Sequence, residues 1–252
     1  ADTQVQALSS TQLGGMTPTG FSNLSATQVG VLTSVQLKGL TTAQIKGLTV
    51  TDVAEFDETQ IGALSPAQIG ALSATAFSAL VDTQVAALTA NQMKGLTATQ
   101  ISGLSLTDVG ELSATQIGAL GADQIKNLSA ANLSALDATQ TAALTATQMK
   151  GLTASQLKGL SVTDVGELAD TQLAALTSSQ LGALGTTVID ALSTTQIGQL
   201  QATQISGLTA TQLDYLSTTN IAALTTTQAN ALTTAQVQSL SDAQIAAYLT
   251  VS

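Results

Sequence analysis

The chain has 252 residues with six basic and sixteen acidic side chains, and its formal net charge is −10 at pH 7. It contains no His, Cys or Trp, which excludes imidazole general bases, thiol nucleophiles, disulfides and the usual zinc sites. A sparsely charged, acidic surface repels nucleic acid and anionic lipid, and no apolar run reaches the roughly 18 residues of a membrane span. We therefore expect neither nucleic-acid binding nor membrane insertion.

Every eighth residue is large and apolar, beginning with Leu8 and Met16 and ending with Tyr248. This recurrence divides the chain into 31 octads with the pattern [Ser/Thr]-x-[Thr/Ala]-Gln-[Ile/Val/Leu]-x-[Gly/Ala]-Leu, whose positions are numbered 1 to 8. A fixed short period is typical of proteins that stack one small unit on the next. The pattern predicts a single continuous octapeptide-repeat domain over residues 1–252.

Each octad carries a signal for the start of a helix. Ser or Thr at position 1 and Gln at position 4 can form a capping box, in which each side chain bonds the backbone N–H of the other residue. The only prolines, Pro18 and Pro66, stand at position 2, in the first helical turn, where a missing N–H costs nothing. One continuous helix is excluded, because eight residues would rotate the apolar stripe by about 80° per repeat.

The octads therefore predict an all-α solenoid of very short helices, one per octad, with positions 5 and 8 in the core. Such helices are too short to be stable alone, so neighbouring turns must stabilise them. Gly or Ala at position 7, as at Gly39 and Gly95, predicts the close approach of another backbone. Thr, Ser, Gln and Ala should then form the outer surface. The alternative is a β-solenoid, since Thr, Ile and Val favour strands, although period-2 alternation is absent and strands would not explain the capping boxes.

A longer period is superimposed on the octads. At intervals of seven octads, three octads have Asp at position 4 and Glu at position 7: Asp52 with Glu55, Asp108 with Glu111, and Asp164 with Glu167. Four more octads, at the same interval, lack Gln and have Gly20, Ala76, Asn132 and Val188 at position 4, with Phe21 and Phe77 following the first two. One hypothesis is that seven octads form two superhelical turns, so that the exceptions align along an edge. The other is a duplicated gene segment, seven octads long, without geometric meaning.

The acidic pairs are the candidate metal-ligating groups, because hard oxygen ligands suit Ca²⁺ at extracellular concentrations. The candidate calcium ligands are Asp52, Glu55, Asp108, Glu111, Asp164 and Glu167. Two ligands per site are few, and Asp at position 4 can instead cap a helix near the positive end of its dipole, with Lys46 or Lys158 as ion-pair partners. Three near-identical pairs at a fixed interval are more typical of a recurring feature of the repeat than of one active site. We predict no catalytic or cofactor-binding residues and no enzyme activity, with calcium as the one candidate cofactor.

Phrases such as LSATQIGAL, residues 112–120, recur along the whole chain. They resemble the tandem arrays of long, low-complexity proteins of bacterial surfaces and secretions, including adhesin-like chains. The resemblance implies an extracellular or cell-surface stalk, filament, surface-layer or adhesin-like element. Its partners would be other copies or neighbouring repeats of the same array, or surface components. The resemblance supplies no site residues.

Regular rows of Thr allow a second functional interpretation. Thr recurs at position 3, which faces away from the core positions, as in Thr27, Thr59, Thr99, Thr115 and Thr147. Evenly spaced hydroxyls on a rigid solenoid suit the binding of ice or carbohydrate. One side chain per short helix makes a narrow face, however, so a non-catalytic structural or interaction module is the first prediction and an ice- or carbohydrate-binding solenoid is the alternative.

Overall fold

The computed structural model describes residues 2–252. Over these residues each octad contains one short α-helix, and there is no strand. The predicted all-α solenoid of short helices is confirmed, and the β-solenoid alternative is wrong for the described chain. The physical reason is the dense series of capping boxes, since each one starts a new helix.

The helices have four to seven residues each. In chain order they are α1 Asp2–Gln6, α2 Ser10–Gly14, α3 Pro18–Ser22, α4 Ala26–Gly30, α5 Ser34–Lys38, α6 Thr42–Lys46, α7 Val50–Ala54, α8 Glu58–Ala63, α9 Pro66–Ala71, α10 Ala74–Ser78, α11 Asp82–Ala86, α12 Ala90–Met93, α13 Ala98–Ser102, α14 Leu106–Glu111, α15 Ala114–Ala119, α16 Ala122–Ile125, α17 Ala130–Ser134, α18 Ala138–Ala142, α19 Ala146–Gly151, α20 Ala154–Lys158, α21 Val162–Gly166, α22 Asp170–Leu173, α23 Ser178–Leu181, α24 Thr186–Asp190, α25 Thr194–Gln199, α26 Ala202–Ile205, α27 Ala210–Tyr215, α28 Thr218–Ala222, α29 Thr226–Ala229, α30 Thr234–Gln238 and α31 Asp242–Tyr248.

Helix α4 shows how an octad starts and ends its helix. The N–H of Gln28 donates to Oγ of Ser25 at 3.3 Å, and the N–H of Ser25 donates to Oε1 of Gln28 at 3.0 Å. At the other end, the N–H of Leu32 donates to the carbonyl of Val29 at 3.0 Å. No residue of the described chain has a positive φ, so the backbone passes from helix to helix without a left-handed turn.

Positions 5 and 8 form the core, as predicted. Ile61 at position 5 is fully buried, and Leu64 at position 8 is 3% exposed. Position 4 departs from the prediction, because Gln60 and Gln92 are only 3% and 2% exposed. Gln therefore belongs to the interior rather than to the outer surface. There its side-chain amide donates hydrogen bonds to backbone carbonyls of the neighbouring turn.

In many regular octads, which are those with Gln at position 4, side-chain hydrogen bonds of the Gln amide join successive turns. The Nε2 of Gln92 donates to the carbonyls of Ile61 and Leu64, 31 and 28 residues earlier, at 2.8 Å each. Helices also pack against the third helix along the chain, as α9 packs on α6 and α12 on α9. A turn of 28 residues, or 3.5 octads, is the spacing that the geometric hypothesis predicts.

Glycine at position 7 permits two turns to approach closely. A Cβ atom on Gly39 would lie 2.6 Å from the carbonyl oxygen of Ser10, and one on Gly95 would overlap the carbonyl of Pro66. The predicted close approach is confirmed at these two octads. Gly110, at position 6, faces open space instead.

Packing divides the chain into two compact units, the first extending to Leu128 and the second spanning Ser129–Ser252. Each unit stacks short helices in the same manner. In the first, Gln60 Nε2 donates to the carbonyl of Val29 at 2.8 Å, and in the second, Gln204 Nε2 donates to that of Leu173 at 2.9 Å. The same bond therefore connects the turns inside each unit.

Candidate functional site

The three Asp residues at position 4 act as caps in α7, α14 and α21. Oδ2 of Asp52 accepts the N–H of Thr49 at 2.7 Å, while the N–H of Asp52 donates to Oγ1 of Thr49 at 3.2 Å. Asp108 and Asp164 form the same capping box in α14 and α21. The capping role considered for these acids is therefore confirmed.

Each of these carboxylates also accepts a hydroxyl hydrogen bond from a Ser at position 6, 30 residues earlier. The pairs are Ser22 with Asp52 at 2.6 Å, Ser134 with Asp164 at 2.5 Å, and Ser78 with Asp108. Each Ser belongs to an octad that lacks Gln at position 4. The two classes of exceptional octads are thus brought together, as the geometric hypothesis requires.

A fourth contact at the same interval involves Asn220 and Asp190, but it joins a side chain to backbone groups rather than two side chains. Asn220 stands at position 4, seven octads after Asp164, and its Nδ2 donates to the carbonyls of Asp190 and Leu192 at 3.1 Å each. Oδ1 of Asp190, at position 6, accepts the N–H of Ser217 at 3.1 Å. Asn220 and the position-6 partners were not among the residues predicted from the sequence, although Asn220 and the Ser residues at position 6 follow the same seven-octad spacing.

A narrow crevice lies beside two of the Ser–Asp pairs, at equivalent places in the two units. Its walls include Phe77, Leu80 and Asp108 in the first unit and Leu133, Leu136 and Asp164 in the second. Asp is shorter than Gln, so a carboxylate at position 4 does not fill the space that a Gln side chain occupies. Glu111 also lines the crevice of the first unit beside Asp108, whereas Asp164 is the acid that lines the crevice of the second.

The Glu residues at position 7 stand at the ends of the same helices, with Glu55 and Glu167 as C-caps. Burial raises the pKa of Glu111, and repulsion from Asp82, a side-chain hydrogen bond with Asp82 and repulsion from Asp108 add to this effect. Among residues 2–252, no group of three or more His, Cys, Asp or Glu side chains is arranged to hold a metal ion. The six acids stay calcium candidates only, which unfolding in the presence of Ca²⁺ would test.

The ion pairs expected for Lys46 and Lys158 do not form in the described chain. The ion pair found there joins Lys126 Nζ to Asp123 Oδ1 at 2.6 Å. The expectation is wrong because the acids at position 4 accept backbone N–H and hydroxyl donors from their own and the preceding turn. The Lys side chains at position 6 point into solvent, as the exposure of Lys46 and Lys158 shows.

Positions 2 and 3 supply the solvent-facing side of the helices. Val50, Leu106 and Val162 occupy position 2 of the three Asp octads and are 48%, 56% and 48% exposed. Thr59 and Thr115 at position 3 are exposed as predicted. The three apolar side chains were not predicted as surface residues, although they also follow the seven-octad period.

The stacked octads define a tandem-repeat protein with an α-solenoid fold. Three stretches, residues 53–90, 173–210 and 210–242, are similar to the family described as the ALTTAQ repeat, and together they cover less than half of the chain. No curated protein matches the chain. Within residues 2–252, no helix has the length and apolar character needed to cross a membrane.

Proposed function

We propose that the chain is a non-catalytic structural module, an extracellular or cell-surface stalk or spacer that gains length with each added octad. The observation that carries the proposal is the double use of Gln at position 4. Gln92 caps its own helix through Oε1 and binds two carbonyls of the preceding turn through Nε2. Each further octad can repeat these bonds, so extension needs no new type of contact.

The same repetition favours rigidity. Each regular octad buries two apolar side chains, at about 1.5–3 kcal/mol each when burial is complete, against the entropy of ordering its backbone. The burial in one octad is not sufficient to offset this entropy cost, so adjacent turns must stabilise one another cooperatively. A module of this kind resists bending because its inter-turn hydrogen bonds are buried, as at Gln92 and Leu64.

The composition and the surface chemistry support an extracellular or cell-surface location and a non-catalytic role. The chain lacks His and Cys, and its carboxylates at position 4 serve as hydrogen-bond acceptors in caps. A cysteine-free chain with hydroxyl-rich outer positions suits an exposed environment, because its folding does not depend on redox conditions. The partners that fit this role are neighbouring repeats, other copies of the array or surface components.

The proposal is tested by lengthening the chain. Residues 73–128, seven octads, would be duplicated once and twice, and the maximum dimension of each protein would be measured by small-angle X-ray scattering. We expect equal increments for the two insertions. A control insertion of equal length, rich in Gly and Ser, should add a flexible segment with no fixed increment. Absence of a regular increment in the octad insertions would contradict the spacer role.

The exposed Thr residues at position 3 favour ice or carbohydrate binding as the second candidate. Thermal hysteresis and ice shaping would be measured on the parent chain and on a T59V/T99V/T115V variant, which keeps the shape of the side chains and removes their hydroxyls. Activity that the variant loses would replace the spacer with an ice-binding solenoid. Binding of a polysaccharide that the variant loses would identify the carbohydrate-binding form of this alternative.

A further inference from the structure

Most bonds between turns cannot distinguish one octad from another. Gln92 Nε2 binds the backbone carbonyls of Ile61 and Leu64, and chemically identical carbonyls recur one octad before and after them. A turn shifted by one octad would therefore recover the same two hydrogen bonds. The regular octads alone leave the pairing of turns underdetermined.

The Ser–Asp pairs are different because they depend on particular side chains. A carboxylate at position 4 has no amide hydrogen to give to a carbonyl, so it requires a donor from the preceding turn. That donor is a hydroxyl at position 6, as in the 2.6 Å bond from Ser22 Oγ to Asp52 Oδ2. Ser occurs at position 6 in only five octads: at Ser22, Ser78, Ser102, Ser134 and Ser206.

A shift by one octad would deprive the carboxylates of the first unit of this donor. The residues one octad before and after Ser22 are Gly14 and Gly30. The corresponding neighbours of Ser78 are Gly70 and Ala86. None of these four side chains can donate a hydrogen bond, so a shifted turn would leave a partly buried carboxylate without its hydroxyl partner.

We infer that the Ser–Asp pairs are register markers that select the native pairing of octads from alternatives shifted by one octad. The pairs recur once in every seven octads, so each marker restricts a short run of otherwise interchangeable octads. At the next interval, Asn220 donates to the backbone carbonyl of Asp190, and the carboxylate of Asp190 at position 6 accepts the N–H of Ser217. Specificity has a stability cost, because Asp supplies no amide to the carbonyls that Gln would bind. This inference does not depend on the proposed function.

The test replaces the markers with the regular residue and reports the register with engineered disulfides. The chain has no native cysteine. In the native register, a Cβ on Gly103 would lie 3.4 Å from Cβ of Ala74, close to the separation in a disulfide. The native register is therefore reported by A74C/G103C. Shifts of one octad are reported by P66C/G103C and D82C/G103C.

Each Cys pair would be placed in the full-length parent, in D52Q/D108Q, and in S102A as the matched control. Ser102 is also at position 6, but its hydroxyl donates to the carbonyl of Thr99 in its own octad at 3.2 Å. After oxidation at low protein concentration, intramolecular disulfides would be quantified by peptide mapping. We expect the shifted disulfides to increase roughly tenfold in D52Q/D108Q, the order expected for loss of one hydrogen bond to a charged group, and to stay at the parent level in S102A.

Thermal unfolding of the same proteins distinguishes register selection from ordinary stabilisation. Because Gln restores a regular octad, D52Q/D108Q should melt at or above the temperature of the parent while its shifted disulfides increase. Shifted disulfides at the parent level would overturn the inference whatever the melting temperature. An equal increase in S102A would also overturn it, since that variant keeps both markers.

Discussion

The side-chain amide of Gln92 donates a 2.8 Å hydrogen bond to the carbonyl of Leu64, while its own carbonyl oxygen accepts the N–H of Thr89 at 2.8 Å. One side chain thus starts a helix and attaches it to the preceding turn. Gln92 and Leu64 are 2% and 3% exposed, so bulk water cannot readily replace the lost bond when the amide is removed.

Substitution Q92A should destabilise the chain by about 2–4 kcal/mol, which combines the loss of a helix cap with the cost of leaving buried carbonyls unpaired. Gln28 provides the matched control. Its Oε1 accepts the N–H of Ser25, but its side-chain NH₂ donates no hydrogen bond to another turn of the described chain. Q28A should therefore cost only about 1 kcal/mol. Urea denaturation of both variants measures the difference, and equal losses would show that the inter-turn bonds contribute nothing.

The fold could be predicted because its signals are local. Capping boxes, Pro18 and Pro66 define where helices start, and positions 5 and 8 lie on one face of a short helix. The burial of Gln could not be predicted in the same way. Its amide partners lie 28 and 31 residues earlier, and their identity depends on how many octads form a turn.

The acidic sites show the same division between local and distant information. Capping by Asp52 follows from its position relative to Thr49, so the sequence predicts it. Its bond with Ser22 is not predictable in this way, because Ser22 lies 30 residues earlier. Ser22, Ser78 and Ser134 follow the same seven-octad period, but the period alone does not show that they face the Asp residues. The seven-octad period indicates that the exceptional octads are related, but only the spacing of turns shows which side chains meet.

Substitution G95A should destabilise the first unit by about 1–3 kcal/mol, since a methyl group there would collide with the backbone of Pro66 and force the turns apart. G110A is the control within the same unit. Gly110 lies inside α14 with open space around its Cα, so alanine should stabilise that helix by about 0.5–1 kcal/mol. Thermal unfolding of the two variants should therefore give shifts of opposite sign.

Substitution L120D should unfold its own octad and its neighbours, because Leu120 is 3% exposed and a buried, unpaired carboxylate costs several kcal/mol. Helix α15 packs on α12, so amide hydrogen exchange should accelerate in both helices. T115S alters an exposed side chain in the same octad and should change exchange very little. Loss of protection confined to the octad of Leu120 would contradict cooperative stacking.

Millimolar Ca²⁺ should leave the melting temperature unchanged. Oδ2 of Asp52 already accepts hydrogen bonds from Thr49 and Ser22, and only one further acid, Glu55, stands in the same octad. A cation that bound the folded chain would raise the melting temperature. Unfolding would be followed in Ca²⁺ and in a chelator, and a rise abolished by D52N/E55Q would establish a calcium site at these residues.

Acidification should relieve a local repulsion at Glu111. Burial raises the pKa of this carboxyl, and Asp82 and Asp108 add repulsion, so the folded chain binds the proton more tightly than the unfolded chain does. Stability from this group is therefore greatest below its ordinary value of about 4.5 and is lost as pH rises through the raised pKa.

The variant E111Q removes the charge and should melt above the parent at pH 7, with the difference shrinking as pH falls towards about 4.5. E55Q is the control, because Ala26 occupies the same place in the chain relative to Glu55 that Asp82 occupies relative to Glu111. It should change the melting temperature less at every pH. Melting curves of the parent and both variants between neutral and mildly acidic pH test the linkage, and an E111Q difference that grows on acidification would contradict its sign.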